Sequence, residues 1–64
     1  HMKINPSKLS HNVWFNEKMN HWNWVLIVED DITGMPEMHS GNAVDKSQAK
    51  HDIMNTISWL QHNN

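Results

Sequence analysis

The 64-residue chain contains no cysteine and no arginine. Without cysteine it can form neither a disulfide nor a thiolate zinc site, so a metal would have to be held by histidine and carboxylates alone. A chain this short forms one domain with one small core. Such a domain buries only about 60% of the surface its unfolded chain exposes, and small domains commonly need a disulfide, a metal or a partner. A well-packed core or association with a second molecule is the support that remains.

The absence of arginine removes the side chain that grips phosphate or guanine with two parallel hydrogen bonds. The five basic residues are the lysines at positions 3, 8, 18, 46 and 50, and they form no run. The formal net charge is -2 with histidine neutral, and the pI is ≈ 6.3. These features make nucleic acid an unfavoured partner. No stretch approaches the roughly 20 apolar residues of a membrane-spanning helix. No apolar segment of the signal-peptide kind follows Lys3. The expectation is a cytoplasmic protein without a membrane partner. His1-Met2 reads as a cloning-site remnant. Abundant asparagine, lysine, isoleucine and methionine beside absent arginine is the bias of an AT-rich coding genome, as in many phages. For a phage-encoded chain the compartment would be the host cytoplasm.

What is present organises as an arm, a hairpin, a third strand and a helix. Residues 1–10 read as a flexible arm and residues 11–64 as a single domain. In the arm, Asn5 before Pro6 is a candidate N-cap for one helical turn, and Ile4 and Leu9 are candidates for pinning the arm to the domain. "NVWFN" at 12–16 is rich in strand formers, and "EKMN" at 17–20 is a polar hairpin connection. The strand 21–29 follows. Its even residues Trp22, Trp24, Leu26 and Val28 are all apolar and form the core face, because strand residues alternate sides. "DDITGMP" at 30–36 carries turn chemistry, 37–44 is a weaker strand, and Gly41-Asn42 suggests a bulge or bend before the helix. Asp45 is an N-cap candidate with Gln48 at capping-box spacing. Ala49, Ile53, Ile57 and Leu60 then recur at helical steps, with Met54 on the flank. The fold class is α+β, a three-stranded antiparallel sheet with one C-terminal helix packed on one face (β-β-β-α).

That arrangement leaves apolar side chains over. In "HWNWVLIVEDD", Val25 and Ile27 lie on the face away from the helix. Trp14, or else Val13 and Phe15, must point the same way. Trp59 falls about 120° from the helix stripe. Either the arm folds over the outer sheet face with Ile4 and Leu9, or that face meets a partner or a second copy. Exposed apolar patches on small proteins mark interaction sites, and tryptophan is enriched where binding energy concentrates. Trp14, Val25, Ile27 and Trp59 are therefore candidate partner-binding residues. Glu29, Asp30, Asp31 and Glu37 are candidates for an acidic patch that steers a basic partner.

The chemical constellations are sparse. His11, His21, His39, His51 and His62 include no pair at the i, i+4 spacing of a helical metal site. Aligning Glu29 with the first position of a calcium loop puts Ser40 where the twelfth position requires a bidentate glutamate. His39-Ser40-Gly41 lacks the first glycine of a nucleophile elbow. No catalytic residue, metal or cofactor is expected. Trp14, Phe15, Trp22 and Trp24 could stack bases on an aromatic sheet face, which makes nucleic-acid binding the alternative reading.

In its order of strand, acidic turn, proline, glycine and alanine-bearing helix, the segment "VEDDITGMPEMHSGNAVDKSQAKHDIMNTI" resembles HicB-like antitoxins and related small folds of the double-stranded-RNA-binding type. Pro36 is followed by Glu37 rather than aspartate, and only Gly41 answers the second glycine. The resemblance implies the β-β-β-α architecture and carries no functional residue across. The expectation is a noncatalytic protein-binding or regulatory module of the kind by which a phage or mobile element inhibits a host or defence protein (anti-CRISPR-like), with a homodimer as the other use of the apolar face.

Overall fold

A computed structural model describes residues 3–62. His1-Met2 and the end at Asn63-Asn64 lie outside the described residues. A single 3-10 turn, Pro6–Lys8, precedes strand β1 (Ser10–Asn16), β2 (His21–Glu29), β3 (Pro36–Ala43) and helix α1 (Lys46–His62). The sheet is antiparallel in the order β1-β2-β3. The α+β, β-β-β-α fold expected from the sequence is the observed one.

The strand in the middle sets the layers. Trp24, Leu26 and Val28 are buried and Trp22 is partly buried, all on the side that α1 covers with Ala49, Ile53 and Leu60. Each side chain fully removed from water contributes about 1.5–3 kcal/mol. The register carries this face across the sheet, because Val13 pairs with Trp24 and Phe15 with Trp22. Val13 and Phe15 are therefore on the helix side, and Trp14 is on the other. Ile57 is only partly buried, and Met54 is exposed on the flank.

Local chemistry explains the connections. Asn16 Oδ1 accepts the Met19 amide at 3.2 Å, and Asn20 closes the hairpin with φ 54, a conformation asparagine tolerates better than most residues. In the second turn Asp30 Oδ1 accepts the amides of Ile32 at 2.8 Å and Thr33 at 3.3 Å. Gly34 supplies the positive φ of 73 that this turn requires. At the helix start the Gln48 amide donates to Asp45 Oδ1 at 2.8 Å, so Asp45 is the cap. The Gln48 side chain does not reach back to the cap. It donates forward to Asp52 Oδ1 at 2.9 Å, so the reciprocal half of the box is not formed.

Some boundaries move. Ser10, assigned to the arm from sequence, opens β1, because pairing with Ile27 recruits it. Neither a bulge nor a bend forms at Gly41-Asn42, and the chain bends instead at Val44-Asp45. The β2–β3 ladder runs without interruption from Trp22–Ala43 to Glu29–Pro36. Gly41 instead seats an indole: a Cβ placed on it would lie 2.8 Å from Trp24 Cε2.

The arm extends the sheet beyond β1. Ile4 bridges to Asp30, the Asn5 amide donates to the Glu29 carbonyl at 3.0 Å, and the Asp31 amide to the Lys3 carbonyl at 2.7 Å. Asn5 Oδ1 accepts the Ser7 amide at 3.1 Å and caps the 3-10 turn. Ile4 and Leu9 pack against the helix-side core. The expected alternative in which they cover the outer sheet face is therefore overturned.

Candidate functional surface

Once α1 and the arm are in place, one sheet face has no cover among the described residues. It is built from Ser10, Asn12, Trp14 and Asn16 of β1, His21, Asn23, Val25, Ile27 and Glu29 of β2, and Pro36, Met38, Ser40 and Asn42 of β3. The register joins their apolar members. Trp14 sits opposite Asn23, next along β2 from Val25, and Ile27 sits opposite Met38. Trp14 is 43% exposed, Ile27 39% and Met38 68%, while Val25 is half-buried between its neighbours. Trp14, Val25 and Met38, with Asn23, Ser40 and Asn42, line a shallow open concavity. The strip is apolar along its middle and carries amides and hydroxyls at its margins, with Glu29 at one end and His21 at the other.

The other expected site residues do not gather on this face. Trp59 is exposed on α1, in the opposite layer from Trp14. The acidic residues divide. Glu29 is on the open side, whereas Glu37 pairs with Val28 on the helix side and contacts His39 Nε2 at 2.7 Å. Asp31 lies 3.8 Å from Lys3 Nζ, and Asp30 is committed to its turn. No single acidic patch contains all four.

The aromatic side chains divide as well. Only Trp14 lies on the open face. Trp22, Trp24 and Phe15 are turned to the helix side, where Phe15 and Trp22 meet edge to face with ring centroids 5.5 Å apart. The base-stacking platform that the sequence suggested is not assembled. His39 and Ser40 point to opposite sides of β3, so their adjacency makes no nucleophile–base pair. Among the described residues no three histidine, aspartate or glutamate side chains are placed to hold a metal ion. A second hollow lies between β1 and α1, lined by Leu9, His11, Lys50, Ile53, Met54 and Ile57.

Sequence reasoning missed Met38 as a member of the open face. The signal was available: its even position in the third strand places it beside Ile27 once the turn length is known. No helix among the described residues is long and apolar enough to cross a membrane. Comparison with models of known protein families, with curated proteins and with solved structures finds no match for the chain. The likeness to HicB-like antitoxins read from residues 28–57 thus finds no counterpart among the family models.

Proposed function

We propose that the protein is a noncatalytic binding module that holds a protein partner on its open sheet face. The observation that carries this reading is the continuous strip of Trp14, Val25, Ile27 and Met38 with neither helix nor arm over it. Solubility alone would favour threonine or lysine at such positions, whereas an uncovered apolar strip with polar margins is the anatomy of a docking surface. In the setting suggested by the composition, a phage or mobile element, occupation of a host or defence protein would inhibit it. Glu29 favours a partner with a basic group beside its apolar contact.

The test is the double substitution Val25→Thr with Ile27→Lys, accompanied by Trp14→Ala. All three positions lie outside the helix-side core, so both variants are expected to remain folded. The native chain, immobilised against a host lysate, is expected to retain a protein that both variants release. A partner retained equally by native and variant chains would overturn the assignment. A ligand that proves to be nucleic acid, with affinity falling steeply as salt rises, would overturn it in favour of phosphate contacts.

A further inference from the structure

The two edges of the sheet differ. Hydrogen-bond parity shows which backbone groups face outward. The Glu29 carbonyl and the Asp31 amide bond toward the arm, on the β1 side, and the Asp30 amide donates to the Met35 carbonyl at 3.2 Å on the β3 side. Odd residues of β2 thus bond toward β1 and even residues toward β3. By the register, the outward groups on β1 belong to His11, Val13 and Phe15, and those on β3 to Pro36, Met38, Ser40 and Asn42. The β1 edge is interrupted at its centre, because Asn12 Oδ1 accepts the outward Val13 amide at 3.0 Å, between the outward amides of His11 and Phe15. Among the described residues no side chain caps the amides of Met38, Ser40 or Asn42. All three residues are exposed, and from Met38 to Ala43 the strand has no carboxylate or lysine. Exposed edges with these properties are templates for another strand, and natural sheets usually block them.

We infer that β3 pairs with β3 of a second copy, antiparallel about a two-fold axis at Ser40, joining two three-stranded sheets into one of six strands. The strand is self-complementary in this register. Ser40 meets Ser40 of the second copy, and each Met38 meets an Asn42, so every outward amide from Met38 to Asn42 finds a carbonyl. Glu37 falls opposite Ala43, so no like charges face each other directly. A two-fold at His39 would set Pro36, which has no amide hydrogen, against the Asn42 carbonyl and lose a bond at each end. Pro36 at the outer end of the strand fits the first register, where only its carbonyl is used. The same pairing sets two open faces side by side and doubles the docking strip. The inference stands on strand-edge chemistry and does not depend on the open face having a partner.

Sedimentation equilibrium across a range of concentrations tests it. The mass is expected to rise from the 7.6 kDa of one chain toward twice that value. In hydrogen exchange the amides of Met38, Ser40 and Asn42 are expected to gain protection as the concentration rises. Ser40→Pro removes an outward amide and no bond to β2, so it is expected to give a folded single chain. Val25→Thr with Ile27→Lys is expected to leave the dimer intact. A chain that stays single at millimolar concentration would overturn the inference, as would a dimer that survives Ser40→Pro or dissolves on the open-face substitution. If Ser40→Pro fails to fold, exchange on the native chain decides, and concentration-independent exchange at those three amides overturns the pairing.

Discussion

Gly41 and Trp24 face each other across the β2–β3 ladder, and the indole fills the space that any side chain at 41 would need. Trp24 Nε1 is buried with no hydrogen-bond partner among the described residues, so shape rather than polarity holds the ring. Gly41→Ala is therefore expected to cost about 1–3 kcal/mol by overpacking, read as a lower urea midpoint with an unchanged slope. Trp24→Ala is expected to cost more, about 3–5 kcal/mol. An alanine at 41 that leaves the midpoint unchanged would show that the indole has another resting place. In the helix, Ile53 is buried and Ile57 only half-buried, so Ile53→Ala is expected to be the more damaging of the two. The seating of Trp24 on Gly41 was not legible in the sequence. An isolated glycine in a strand reads equally as a bulge or as a close approach, and only the register decides.

Among the elements, the helix and the middle strand were the most legible. Alternation over 21–29 and helical spacing from Ala49 to Leu60 each repeat long enough to fix a face. The first and third strands were less so, because Ser10, His11, Ser40 and Asn42 are weak strand formers held by pairing with β2. The helix start separates two kinds of cap. Asp45 holds the Gln48 amide, whereas the Gln48 side chain bonds Asp52. Asp45→Ala is expected to cost about 1 kcal/mol of stability, and Gln48→Ala only a few tenths. Equal losses in thermal unfolding would mean that the reciprocal contact to the cap forms in solution. The arm is an element in its own right. Removing residues through Leu9 takes away the Ile4 and Leu9 packing, and the expected result is a clear fall in midpoint.

In the molecule as a whole, one sheet serves two purposes. Its helix side supplies the core, and its other side keeps an apolar strip that lies outside the core cluster. The existence of leftover apolar groups was legible in the run Val25-Leu26-Ile27-Val28, but the uncovered face was not, because either the arm or a partner satisfied the pattern. What decided it was backbone pairing of the arm at Asp30, with Ile4 turned to the core. The order of the strands has a consequence of another kind. Each strand lies beside its neighbour in sequence, joined by the turns at 17–20 and 30–35. No pairing among the three strands waits for a long loop to close, and low separation between partners speeds folding. Refolding from urea is expected within about milliseconds, in one exponential phase, with a V-shaped chevron. Because each turn can close independently of the other, the nucleus is free to begin at either hairpin. Substitutions in the two turns are therefore expected to slow folding only fractionally, each leaving the other route open.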